Sequence, residues 1–165
     1  MISIADLVAC DLPDDPAEGY RHLPTGQGFN QLLGAVYGRL KDGRMTLGMR
    51  ISPRHLNPQQ TCHGGVIASF ADMQGYVAQR EAGLTDQITP TISLSVDYLA
   101  PVSLGDWLEG HTALLRASRN LLFSQTIAKV GEKPVFRSSG IFKIGPASQF
   151  VGSNLGDFFE TAEEN

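Results

Sequence analysis

From Gly64 to Gln79 the chain reads GGVIASFADMQGYVAQ, a run in which Asp72 is the only charged residue. Between about Gly65 and Glu81 the apolar residues Val66, Ile67, Phe70, Ala71, Met73, Tyr76 and Val77 cover most of a helical circumference. A helix that is apolar nearly all round is a central one, wrapped by the rest of its fold. At ~1.5 Å per residue it would be about 25 Å long. Everything else in the chain has to be arranged about it. An ionised carboxylate on such a helix is costly unless it is compensated, so Asp72 is either paired for structure or kept for chemistry.

The flanking sequence supplies strands. LLGAVYGRL begins near Leu32 and leads through Asp42-Gly43 into RMTLGMRI, where Met45, Leu47, Met49 and Ile51 alternate with Thr46, Gly48 and Arg50. Period two after an Asp-Gly pair is a hairpin signal. Beyond the helix, TISLSVDYL sets Ile92, Leu94, Val96 and Tyr98 on one face, and WLEGHTALLRA, NLLFSQTIAKV and PVFRSSGIFKI follow. Strands gathered on both sides of one apolar helix predict an α+β architecture, an antiparallel sheet curled over that helix.

The chain has 165 residues, 42% of them hydrophobic and 18% charged, which suits one globular domain with a real core. The Pro-, Gly- and Asp-rich start reads as a leading segment over 1–28, the domain as 29–145, and 146–165 as an acidic tail. A net charge of −4 argues against a general nucleic-acid binder, though not against a small anion held by a few arginines. No apolar run reaches the length of a membrane span. The start MISIADLVAC lacks a basic region and is broken by Asp6, so it does not read as a lipoprotein signal. Two cysteines, Cys10 and Cys62, form no framework, and a reducing cytoplasm is the expected location. Metal-ligand spacings are not evident, and no metal is expected.

Chemistry is concentrated at the two ends of the first part of the helix. Gly64 and Gly65 allow a tight turn and a close ligand approach. The first N–H groups of a helix lack internal acceptors and favour negative charge, which suits a developing oxyanion; an ordinary glycine turn is the alternative. Around Asp72, the residues one turn away include Ala68, Ser69 and Gly75, small enough to leave room for a ligand. A buried Asp72 would have a raised pKa and serve as a general base, or it would be a satisfied structural carboxylate. Cys62 beside His63 admits a thiol nucleophile, but adjacent side chains usually point apart. Gly64 and Asp72 are separated by roughly 12 Å along one helix. A reacting carbonyl lies about 3 Å from its oxyanion donor and close to its base. If both groups act, they come from different subunits of a dimer with antiparallel helices and two symmetric sites.

Asn57, His63-Gly64-Gly65 and Asp72, followed by TISLSVDYLAPV and GDWLEG, resemble the PaaI-like branch of the hotdog-fold acyl-CoA thioesterases over about residues 30–144. The resemblance implies that the Gly64 N–H meets the thioester oxygen, with Asn57 holding it or the leaving sulfur and His63 lining the pocket. Asp72 of the opposite subunit acts on a water or attacks directly, and Thr91 orients that water. Gly65, Phe70, Met73 and Tyr76 become candidates for contact with substrate. Arg116, Arg119 and Lys143, on or near the later strands, become candidates for the phosphates of coenzyme A, which enters as part of the substrate and not as a cofactor. Trp107 and Phe123 are expected in the core. The resemblance also implies a homodimer, further paired as a dimer of dimers with a continuous sheet. The chain departs from the family at Gln60, about where a glycine is common, and at Cys62, where an aliphatic residue is commoner. Two other classes stay open: a hotdog dehydratase or hydratase, disfavoured by Gly-Gly after His63, and a non-enzymatic acyl-CoA-binding module, disfavoured by the retention of Asp72 and Thr91.

Overall fold

The computed structural model describes residues 15–24 and 28–147. The expectations for the Cys10 region and for most of the acidic tail therefore fall outside the described residues.

Seven strands form one antiparallel sheet: β1 (Arg21–His22), β2 (Tyr37–Lys41), β3 (Arg44–Arg50), β4 (Thr91–Tyr98), β5 (Trp107–Ala117), β6 (Leu121–Val130) and β7 (Lys133–Lys143). Their order across the sheet is β1-β2-β3-β5-β6-β7-β4, so β4, the strand that follows the central helix in sequence, lies at the far edge. A short helix α1 (Phe29–Leu32) precedes β2. The central helix is α2 (Gly64–Met73) followed by α3 (Gly75–Glu81).

The β2–β3 hairpin forms as its alternation predicts. Asp42 and Gly43 both have positive φ, 51° and 74°, the geometry of a turn whose twist matches the strands it joins. Met45, Leu47, Met49 and Ile51 are all buried against the helix. Phe70, Val77, Leu108 and Phe136 complete the centre of that core, each with no measurable exposure. Burying side chains of this size is worth about 1.5–3 kcal/mol apiece.

Three expectations are corrected. The helix is not one uninterrupted run from Gly65 to Glu81: it starts at Gly64 and tightens at Gln74, whose N–H reaches back only to the Ala71 carbonyl. The cause is a buried amide. Gln74 Nε2 donates to the Phe70 carbonyl at 3.2 Å, and Gln74 Oε1 accepts from Thr112 Oγ1 at 2.9 Å. With the Thr112 proton so committed, the 2.8 Å contact between the Thr112 and Thr126 hydroxyls must be donated by Thr126. Nor is the helix wrapped all round. Gly65 and Asp72 are exposed and Ser69 is half-buried, because the sheet covers only the opposite side of the helix. Finally, Trp107 and Phe123 do not enter the helix-side core. Strand alternation carries both to the outer face of the sheet, where they are half-buried.

That outer face has its own packing. The Trp107 ring lies directly on Gly48 and meets Tyr20 edge-on at 4.9 Å between centroids. Arg50 stacks over Trp107 and Arg39 over Tyr20. The leading segment thus contributes Tyr20 to this face and Leu23, fully buried, to the core. A Cβ on Gly48 would stand 2.3 Å from the Trp107 ring. Gly48→Ala is expected to destabilise the fold by about 1–3 kcal/mol through overpacking, read as a lower urea midpoint with an unchanged slope.

Candidate active site

The loop before α2 is held by its own polar groups. His55 is buried in a single 3₁₀ turn, where its Nδ1 accepts from the Ser52 N–H at 3.0 Å. That acceptance leaves the ring proton on Nε2, which donates to the Leu33 carbonyl at 2.7 Å. The His55 carbonyl then receives the His63 N–H at 2.7 Å, fixing where the helix begins. Asn57 Oδ1 accepts from the N–H groups of Gln59 and Thr61, and its Nδ2 donates to Thr61 Oγ1 at 2.9 Å. Gln60 adopts a φ of 62°, the left-handed conformation glycine takes freely, so the loop turns here despite the side chain.

His63 caps the helix. Its Nδ1 accepts from the Gly65 N–H at 2.9 Å, and its carbonyl receives the Val66 and Ile67 N–H groups. Among the described residues the Gly64 N–H has no such acceptor. The Gly64 carbonyl accepts from Tyr98 Oη at 3.0 Å, and that ring covers the glycine. Cys62 is buried, and desolvation pushes its thiol up to about 11.

Asp72 sits near the C-terminal end of α2, and the expectation that it is buried is corrected: it is exposed. Thr91 Oγ1 donates to Asp72 Oδ1 at 2.6 Å. Strand geometry explains how. In β4 the partners Ser93↔Ile141 and Ser95↔Ser139 lie on the outer side of the sheet, yet Thr91 pairs with Phe142, which points inward. The register slips between Thr91 and Ser93, so Ile92 is an extra residue and the bulge turns Thr91 towards the helix. Ile92 is consequently 57% exposed and does not join Leu94 and Val96 in covering the helix.

A pocket of about 280 Å³ opens beside Asp72. Asp72, Pro90 and Thr91 form its exposed rim, Asn30, Tyr76 and Thr89 its half-buried walls, and Met73, Gly75 and Phe142 its buried floor. Burial raises the Tyr76 hydroxyl above its usual pKa, against a weaker lowering by its hydrogen bond with Asn30. Gln79 ties the loop that leads to this rim onto α3. Its Nε2 donates to the carbonyls of Leu84 and Gln87, and its Oε1 accepts from Thr89 Oγ1 at 3.1 Å.

The structure thus brings Asp72, Thr91, Met73 and Tyr76 together. Asn57, His63, Gly64 and Gly65 stand at the other end of α2 and do not line this pocket. Phe70 faces Phe136 in the core instead. Arg116, Arg119 and Lys143 are exposed at the end of the sheet that carries Thr91 and Phe142, as the pairings Ala117↔Leu122, Leu122↔Phe142 and Leu121↔Lys143 require. Among the described residues no cluster of His, Cys, Asp or Glu side chains could hold a metal ion, and no helix is long and apolar enough to cross a membrane. Gly75 lines the pocket as its small size beside Asp72 suggests, whereas sequence reasoning missed Asn30, Thr89, Pro90 and Phe142 there, and Tyr98 over Gly64. Only the two glutamines had a visible signal, as amides within an apolar helix.

Residues 59–132 match the family model of the thioesterase superfamily. The chain is 29% identical over 128 residues to a Pseudomonas aeruginosa protein provisionally named as an esterase, an alignment covering 77% of this chain and 96% of that one. Among solved structures it resembles the phenylacetic acid degradation protein PaaI of Thermus thermophilus, with a TM-score of 0.60 and 22% identity over 70% of this chain and 96% of that one. A Streptococcus pneumoniae protein described as a hypothetical thioesterase and solved with coenzyme A superposes with a TM-score of 0.59 and 20% identity over 68% of this chain and 88% of that one. The shared architecture is the hotdog fold.

A thiol titrating near 11 is protonated at neutral pH. In a Cys10→Ser background, alkylation of native Cys62 is expected to be slow at pH 8 and to rise about tenfold per pH unit until it levels near pH 11, measured by mass shift against time. Because this pKa is raised from 9.0, the thiol's contribution to stability is complete below about pH 9 and declines as the pH climbs towards 11.

Proposed function

We propose that this hotdog-fold chain is a thioesterase that hydrolyses an acyl-CoA to the free acid and coenzyme A, with Asp72 as base or nucleophile, a reading supported by the match of residues 59–132 to the thioesterase superfamily model. The observation that carries this reading is the 2.6 Å hydrogen bond from Thr91 to Asp72 at the rim of a pocket. One carboxylate oxygen is occupied by the hydroxyl, and the other is left to take a proton from water or to attack the thioester carbonyl. The coenzyme A held by the Streptococcus pneumoniae relative supports the choice of thiol. Arg116, Arg119 and Lys143 would meet its phosphates.

The oxyanion donor in this reading is the Gly64 N–H of a second subunit. Along β4, Tyr98 holds Gly64 and Thr91 holds Asp72, so the two groups are anchored at opposite ends of one strand. A two-fold axis crossing β4 would set each Gly64 end beside the partner's Asp72 end. The edge offered to that partner is apolar: Ile92, Tyr98 and Leu99 are 57%, 55% and 53% exposed. His63 would serve by capping the helix that presents Gly64, and Asn57 by shaping the loop before it. The arrangement supports a homodimer, and the family resemblance supports its further pairing as a dimer of dimers.

Release of coenzyme A thiol from an acyl-CoA panel tests the assignment. Asp72→Asn is expected to lose on the order of 10²–10⁴ in kcat while keeping the melting temperature of the native protein. A variant that hydrolyses as fast as the native chain would remove Asp72 from the mechanism. Full activity in a monomeric species would rule out the shared site.

A further inference from the structure

We propose that Phe142 sets the depth to which an acyl group can reach beneath Asp72, restricting this enzyme to compact acyl groups; the inference rests on the acyl-CoA reading above. Phe142 is 2% exposed, and what little it exposes faces the floor of the pocket. Its ring is wedged between helix and sheet. A Cβ built on Gly75 would stand 2.5 Å from the ring, and one built on Gly140 would stand 2.6 Å from it. Neither glycine has a positive φ. What these positions supply is therefore space, and the Phe142 ring takes all of it.

The slot it fills runs on from the pocket. Gly75 belongs to both, as part of the pocket floor and as one wall of the slot. On the sheet side the neighbours are small: Ser124 Oγ lies 3.3 Å from the position of a Gly140 Cβ, and Ser124 is itself buried. A straight chain passing Asp72 and Met73 thus meets the ring of Phe142 where it would otherwise continue between α3 and the sheet. Substituting a smaller side chain joins slot and pocket into a longer cavity. Each further methylene buried there is worth about fourfold in affinity.

The test is a profile of kcat/KM over straight-chain acyl-CoAs from acetyl to palmitoyl, for the native protein, Phe142→Ala and Phe142→Leu. Calorimetric binding of non-hydrolysable S-alkyl-CoA thioethers of matching length runs alongside. The native profile is expected to peak among short chains and fall steeply. Phe142→Ala is expected to move the optimum by two or more carbons and to raise kcat/KM for longer chains at least about tenfold, with thioether affinities shifting in parallel. Phe142→Leu lies between and serves if the alanine variant does not fold. Adding Gly75→Ala to Phe142→Ala refills part of the slot and should move the optimum back. A folded Phe142 variant with the native profile, or a native profile that rises through to palmitoyl, overturns the inference and leaves acyl-CoA hydrolysis standing. If the native protein neither hydrolyses nor binds any member of either series, the acyl-CoA reading fails and this inference with it.

Discussion

The arrangement around Asp72 depends on one irregularity in a strand. A regular β4 would send Thr91 to the outer face with Ser93 and Ser95. The extra residue at Ile92 reverses that, and the hydroxyl meets the carboxylate on the helix. The strand can hold this geometry because its start is tied down on both sides. The Lys143 N–H reaches the Pro90 carbonyl at 2.8 Å, the Ile88 N–H reaches Pro146, and Gln79 gathers the loop just before them. The site is thus a contact between two rigid elements, with the loop fastened to both.

Polar groups in this protein divide by where they are satisfied. Gln74, Gln79 and His55 are buried, and each spends its hydrogen-bonding capacity inside the chain. A buried amide or imidazole so paired escapes the penalty of desolvation. Asp72 is different in kind. It remains on a bare side of the helix, with one neighbour from its own chain. Its desolvation is not incurred on folding, and can be imposed only by whatever later covers that side.

Much of the architecture was legible because it follows periods. The Asp42-Gly43 turn, the inward set Met45, Leu47, Met49 and Ile51, and the long apolar helix are all local patterns. The hotdog fold was legible through the family resemblance carried by Asn57, His63-Gly64-Gly65 and Asp72, although the structure sets Asp72 at the pocket and the others at the far end of α2. What escaped was set by partners distant in sequence. Register decides that Thr91 faces Phe142, and no local pattern in β4 announces a slip at Ile92. The amide of Gln74 breaks the helix only because Thr112 lies opposite it. Trp107 is apolar enough for any core, yet parity in β5 puts it on the other face, where Tyr20 and Gly48 receive it. The exposure of Asp72 was misread for a simpler reason: apolar residues around most of a helix do not say which side the sheet leaves open.

The bulge makes the site sensitive to the register in which β4 pairs rather than to the residue at the bulged position. Ile92 does not line the pocket, and its place is an exposed one on the apolar edge of the sheet. Losing that residue would remove the slip yet leave Thr91 next to Ser93, opposite Phe142 and still facing the helix, whereas pairing Ile92 regularly with Phe142 would carry the Thr91 hydroxyl through the sheet and leave Asp72 without its donor. What the site requires of this strand is therefore the slip between Thr91 and Ser93, and not the isoleucine that occupies it.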